Sequence, residues 1–268
     1  MKVLMQTEIP VATITYTLVL FFFITFNGKA QAETSALPET VAHIKASIVG
    51  IGTFQRTRTP PAVFRGTGFV VDDGLHVLTN EHVLPPAIDR TRFEALVIFV
   101  REGKSQRLRE ATVVAVDEDH DVALLKFGGA RLSVMRLGDS AKVREGEEYA
   151  FTGFPIGAVL GLYPVTHRGI VSAISPIAIP ASMARNLDPR TLRRLVAAFD
   201  VFQLDATAYP GNSGSPLYKP NTGEVVGIIN KVFVKETKEN LLERPSGISY
   251  AIPIQYAREL LRKKGIRH

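Results

Sequence analysis

The sequence predicts an all-β protein, a sandwich or a barrel made of short strands. Short apolar runs recur along the chain between clusters of turn-forming residues, the pattern of stacked or closed antiparallel sheets. At 268 residues and 46% hydrophobic content, the chain can bury one large core or two small ones. Composition therefore excludes a disordered chain.

The first residues read as an export leader. Lys2 is basic, Ile9 to Phe26 is largely apolar around Phe21-Phe22-Phe23, and Ala30-Gln31-Ala32 fits the small-residue cleavage rule. The mature chain is expected to start at Glu33, leaving residues 1–32 as signal peptide. The competing reading is an uncleaved anchor, but Thr13, Thr15 and Thr17 interrupt a stretch already at the short limit of the roughly 20 residues that span a bilayer. No stable membrane anchor is expected after cleavage. With no cysteine there is no disulfide framework, lipid-attachment thiol or thiolate metal site. Export without disulfides fits a periplasmic or secreted bacterial protein. The net charge of +6 is modest. Basic residues at Arg56 and Arg58, from Arg101 to Arg109 and from Arg190 to Arg194 are interleaved with acids such as Glu102 and Glu110, which describes solvated loops rather than a nucleic-acid groove.

Taken in order, Glu39 to Ala46 is expected to form a short helix and Ile48 to Phe54 the first strand. Val70 to Val71 and His76 to Thr79 flank Asp73-Gly74, a pair suited to the positive φ angles of a type I′ hairpin turn. Further strands are expected at Leu96 to Val100, Ala111 to Val116, Val122 to Phe127, Glu148 to Phe151 and Thr166 to Ile174. Asp188 can then cap a helix that Pro189 opens, with Leu192, Leu195, Val196 and Phe199 at i, i+3, i+4 and i+7, giving an inserted helix over 189–199. Strands follow at Val201 to Leu204, Pro216 to Tyr218, Val225 to Phe233 and Ile248 to Ile252. After Pro253, Ile254, Ala257, Leu260 and Leu261 share one helix face, and Gly265 stops the helix.

Three stretches concentrate chemistry. Tyr209-Pro210-Gly211-Asn212-Ser213-Gly214-Ser215-Pro216 sets a serine between glycines just ahead of a strand. A serine hydroxyl is a weak nucleophile until a histidine takes its proton and a carboxylate orients that histidine. Leu78-Thr79-Asn80-Glu81-His82-Val83 supplies a histidine at a strand end, and Asp119-His120-Asp121-Val122-Ala123-Leu124-Leu125 an aspartate at the start of an apolar run. The order His, Asp, Ser is that of chymotrypsin-like barrels, whereas α/β-hydrolases run Ser, Asp, His and subtilisins Asp, His, Ser.

On these residues the chain resembles the protease domain of the HtrA/DegP group of trypsin-like serine proteases. The matching stretches are Gly66 to Val71, Thr79 to Val83, Asp121 to Lys126, Gly153 to Gly157, Arg168 to Ala173, Gln203 to Ala206, Gly211 to Pro216 and Gly247 to Pro253, in the family's order. The resemblance implies a chymotrypsin/trypsin-like pair of six-stranded β-barrels, roughly 41–150 and 151–252, with the site in the crevice between them and a C-terminal helix over 253–264. Residues 33–268 would form this one protease domain. HtrA proteins usually continue into PDZ domains, and none is expected here because the chain stops at His268. The segment between Ile174 and Phe202 is longer than in typical relatives. Glu33 to Thr40 lacks the aromatics through which HtrA proteins build trimers, which leaves the oligomeric state open.

The resemblance assigns roles. Ser213 would be the nucleophile, His82 the base and then the acid, and Asp121 the group that holds the imidazole tautomer. Asp117 and Asp119 compete with Asp121, but neither directly precedes the apolar strand; His120 is read as exposed because adjacent residues of an extended chain point apart. Ser215 is the rival nucleophile and is read as a packing residue. The oxyanion hole would be the backbone N–H groups of Gly211 and Ser213, with Asn212 shaping the loop.

The residue six before the nucleophile, the pocket floor of trypsin-like enzymes, is Thr207, followed by Ala208; the walls map onto Ile229, Asn230 and Ile248. No carboxylate sits at the floor, so cleavage after Lys or Arg is disfavoured and small or medium aliphatic residues are expected before the cut. A glutamyl-type endopeptidase is the runner-up, kept open by Lys231 although Ile229 replaces the acid-recognising histidine. A catalytically idle binding module is the rival from another class. The six histidines form no HExxH pattern; neither a metal nor a cofactor is expected, and the partners are protein or peptide substrates.

Overall fold

The computed structural model describes residues 36–103, 105–157, 161–176, 199–230 and 247–266. Strands β1 (Ile48–Phe54), β2 (Ala62–Val71), β3 (His76–Thr79), β4 (Ala95–Glu102), β5 (Ser105–Asp117) and β6 (Val122–Phe127) close into one barrel in the order β1-β2-β3-β6-β5-β4. Strands β7 (Glu148–Gly153), β8 (Val165–Pro176), β9 (Asp200–Asp205), β10 (Pro216–Tyr218), β11 (Val225–Asn230) and β12 (Ile248–Pro253) close the second, in the order β10-β11-β12-β9-β8-β7. The expected all-β fold of two six-stranded barrels is thus the observed one. Closure leaves neither sheet a free edge.

Differences from the expected strands fall where the apolar signal fades. Ser105 to Glu110 is polar except for Leu108, yet it extends β5 because it pairs residue for residue with β4, from Glu102↔Ser105 to Val97↔Glu110. A two-strand ladder needs no buried face to satisfy its backbone. The β2–β3 hairpin is not the two-residue type I′ turn. Val71 pairs with His76, so four residues form the loop, and positive φ falls on Asp72 and Gly74 rather than on Asp73-Gly74. The barrel boundary expected at 150/151 falls inside β7, whose ladder already begins at Glu148↔Ile170; the connection is the stretch 128–147.

Helix α1 (Leu37–Ile44) opens with a proline in its first turn, where the missing N–H costs nothing. Helix α2 (Ile254–Lys263) buries Ile254, Ala257, Leu260 and Leu261 and packs on β5, β6 and β11. It ends as expected at Gly265, which adopts φ 70° while Ile266 N–H returns to Leu261 O at 3.1 Å. The inserted helix expected over 189–199 lies outside the described residues except for Phe199, as do the leader and residues 231–233. Among the described residues no helix is long and apolar enough to cross a membrane.

One side chain of β2 ties the barrels together. Thr67 Oγ1 donates to Gly211 O at 2.7 Å and accepts from Phe154 N–H at 3.1 Å, while Thr67 N–H donates to Ser213 O at 2.8 Å. The serine loop of the second barrel is thereby fixed against the first.

Candidate active site

His82 sits in a short 3-10 turn, Glu81–Val83, directly after β3, and Asp121 immediately precedes β6, the neighbour of β3. Pairing of those strands brings the two side chains together. Asp121 Oδ1 accepts His82 N–H at 2.8 Å, and Oδ2 lies 2.6 Å from His82 Nδ1. An ionised carboxylate only accepts, so Nδ1 carries the proton and Nε2 keeps its lone pair free on the opposite side of the ring. Asp121 is 2% exposed, and Asn230 Nδ2 donates to its Oδ2 at 2.6 Å. Its backbone is held as well. Asp121 O accepts from Asn80 Nδ2 at 3.1 Å and from Glu81 N–H at 3.2 Å.

Ser213 is buried on the loop that Thr67 fixes. A Cβ placed on Gly66 would meet both Val83, next to His82, and Ser213 O, so the two loops are in contact across β2. Among the described residues Ser213 Oγ forms no hydrogen bond to His82. Such bonds are often long in the free enzyme and tighten when substrate binds.

Two N–H groups of the loop around Ser213 make no hydrogen bond among the described residues. Pro210 O accepts Ile156 N–H at 2.6 Å. The Pro210–Gly211 peptide is trans, so Gly211 N–H points the opposite way. Neither Gly211 N–H nor Ser213 N–H donates to any group among the described residues. Gly211 has φ 99°, and a Cβ there would stand 2.3 Å from Phe154 O, so only glycine fits. Asn212 and Ser215 are fully buried beneath this loop; Ser215 Oγ faces Gly153, where a Cβ would lie only 2.0 Å away. Ser215 is therefore packed against backbone.

Of the residues expected to line a pocket, Thr207 and Ala208 are half-buried, and Ser249 fastens the backbone on either side of Thr207: its Oγ donates to Ala206 O at 2.5 Å and accepts from Ala208 N–H at 2.7 Å. Nothing in the sequence marks Ser249, because a serine inside a strand carries no motif. Asn230, expected as a wall, turns its amide to Asp121. Ile229 is fully buried in the core cluster of Tyr149, Phe151 and Val226, while Ile248 is 44% exposed.

Two histidines differ from a surface reading. His120, expected to be exposed, is half-buried and lies flat on Tyr256 of α2, ring centroids 3.8 Å apart. Burial opposes charge on Asp117, yet its hydrogen bonds from His120, with His120 and Lys263 nearby, outweigh that and hold its carboxyl below the ordinary value. His167 of β8 stacks on Phe151 at 4.8 Å and leans towards Tyr209, and burial holds its imidazole below the ordinary value. Away from this site, Asp72, Asp73 and His76 hold potential ligand atoms within 4.8 Å of one another; His76 Nδ1 is already bonded to Asp73 Oδ1 at 2.9 Å.

The family described as the trypsin-like peptidase domain matches residues 66–228, more than half of the chain and a span that takes in His82, Asp121 and Ser213. The chain belongs to the trypsin-like peptidases. This trypsin-like peptidase is 36% identical over 192 residues, 72% of its length, to a "Probable periplasmic serine endoprotease DegP-like" of Pseudomonas putida, of which it covers 33%. A relative of the same name from Hahella chejuensis is 32% identical over 237 residues, 88% of this chain and 41% of that protein. The trypsin-like peptidase thus spans about a third to two-fifths of these relatives. Among solved structures, the HtrA-type protease AlgW with decapeptide matches with a TM-score of 0.61 at 23% identity, covering 84% of this chain and 66% of that one; this supports the fold.

Proposed function

We propose that this chain is an exported serine endopeptidase of the HtrA/DegP type, acting in the periplasm or outside the cell on unfolded or extended protein segments. The observation that carries the reading is the Asp121–His82 pair, with Oδ2 2.6 Å from Nδ1, beside a serine loop on which neither Gly211 N–H nor Ser213 N–H donates to a group among the described residues. In this reading Ser213 Oγ attacks the scissile carbonyl carbon while its proton passes to His82 Nε2. The carbonyl π electrons move onto oxygen, which the N–H groups of Gly211 and Ser213 receive. Collapse breaks the C–N bond, and His82 returns the proton to the leaving amine. Water, deprotonated by His82, then cleaves the acyl ester and restores Ser213. Asp121 keeps the imidazole in the required tautomer and stabilises its cation.

Extended substrates suit the crevice because a chain can add as a strand to the serine loop's flank. A half-buried Thr207 brings no carboxylate to the pocket floor, which favours small or medium aliphatic side chains before the cut. The relatives' names and the leader support the location.

The test is covalent labelling of the mature chain by a fluorophosphonate probe, with the adduct located by peptide mass spectrometry. Label on Ser213, absent from His82→Ala and Ser213→Ala, is expected. A wild-type protein that stays unlabelled, or carries label on Ser215, overturns the assignment.

A further inference from the structure

We propose that His120 is a positioning residue for the Asp121–His82 pair, held by packing against Tyr256 and Phe199; this rests on the protease reading of those two residues. Asp121 stands at φ 54°, in the left-handed region that a residue with a Cβ enters at a cost and keeps only when its surroundings hold it there. On one side, Asn80 and Glu81 grip its carbonyl. On the other side the chain runs directly into His120. There the backbone N–H of His120 donates to Asp117 Oδ1 at 3.1 Å and Nδ1 lies 2.8 Å from Asp117 Oδ2, closing a turn over 117–120. The His120 ring lies at 14° to Tyr256, and the Phe199 ring meets both edge-on, 4.8 Å from His120 and 5.0 Å from Tyr256.

Two rings from distant parts of the sequence, those of Phe199 and Tyr256, therefore pack on the residue before Asp121. A solvated turn would need neither. The Asp121 carboxylate has to meet His82 at two points, N–H and Nδ1, and a rotation of its strained backbone would break both. The clamp joins the terminal helix and the start of β9 to that rotation. A purely structural stack gluing α2 to the barrel predicts something else: loss of stability with no change in the His82–Asp121 hydrogen bond.

The two roles separate on readouts besides activity. The first is the downfield proton NMR signal of His82 Nδ1–H, which reports the bond to Asp121 whether or not the protein hydrolyses anything. The second is the split between kcat and KM on a peptide substrate. In His120→Ala the signal is expected to broaden or shift upfield, with kcat down about tenfold to a hundredfold and KM within about twofold, as for a misplaced catalytic group. His120→Phe, which keeps the stack, should restore most of both. Tyr256→Leu removes the clamp from the helix side without touching the 117–121 turn and covers the case in which His120→Ala does not fold; it should reproduce the signal change, and the double variant should be no worse than either single one. A folded His120→Ala or Tyr256→Leu protein with an unchanged His82 signal and wild-type kcat overturns the proposal. A probe-unreactive wild-type protein with a normal His82 signal would sink the protease reading and leave the positioning role measurable.

Discussion

The backbone N–H of Ile156 holds Pro210 O at 2.6 Å, and Ile156 does so from φ 48°. A β-branched residue in that region is a strained outlier, so the conformation is maintained by what it secures. The hydrogen bond orients the Pro210–Gly211 peptide and hence the direction of Gly211 N–H.

Substitutions at Ile156 should separate its conformation from its side chain. Glycine adopts positive φ without strain and keeps the N–H, so Ile156→Gly is expected to retain activity with a melting temperature close to that of the wild type. Proline has neither the N–H nor access to φ 48°. Ile156→Pro should lower kcat by about 10²- to 10³-fold, the loss typical of one oxyanion donor, and steady-state kinetics of both variants checks it.

Asn230 offers a second discrimination. As a tether for the buried Asp121 carboxylate, its loss removes a charge-assisted hydrogen bond worth about 1.5 to 3 kcal/mol. Asn230→Ala should therefore unfold at lower urea and lose kcat, with the substrate preference unchanged. A shifted preference at wild-type kcat would return Asn230 to the pocket wall.

The contrast between these residues shows what the sequence reveals. The strands were legible where apolar runs alternate with turns, and the His, Asp and Ser stretches were legible because each sits at a strand end with its own local signature. Ser105 to Glu110 was hidden because ladder pairing, not burial, makes it a strand. Asn230 lies 109 residues from Asp121 in sequence, and the face it turns is decided by the barrel junction. His120 was misread for the same reason: strand alternation does not apply in the turn over 117–120, and the ring it meets belongs to the terminal helix. Long-range contacts of single polar side chains leave no local pattern.

His167 makes stability depend on pH in a defined window. Its folded value lies below the ordinary 6.5, through burial, so the unfolded chain binds the proton more readily. The contribution is fully present above about pH 6.5 and is lost as pH falls through the folded value, at a slope of at most about 1.4 kcal/mol per pH unit for one proton. His167→Phe keeps a ring against Phe151 and removes the proton site. Urea titrations between about pH 6.5 and 5 should give a shallower decline for the variant than for the wild type; equal slopes would assign the decline to other groups.

Substrate preference is the most demanding prediction, because it depends on one half-buried position. As the proposed floor, Thr207 offers a hydroxyl and no charge, and Ser249 holds the neighbouring backbone of Ala206 and Ala208. An Arg or Lys side chain entering there would lose its hydration with no anion to meet, a cost of several kcal/mol and hence a few orders of magnitude in rate. Val, Ala, Ile or Leu loses little on leaving water, and differences of about 1 to 3 kcal/mol per methylene then set their ranking. A peptide-library digest by the mature chain, read by mass spectrometry, should show cuts mainly after small aliphatic residues, and the same termini should appear from unfolded casein. Cuts dominated by Arg or Lys would mean that a carboxylate outside 207–208 reaches the pocket. Cuts dominated by Glu would point to a cation there, with Lys231 the first residue to replace.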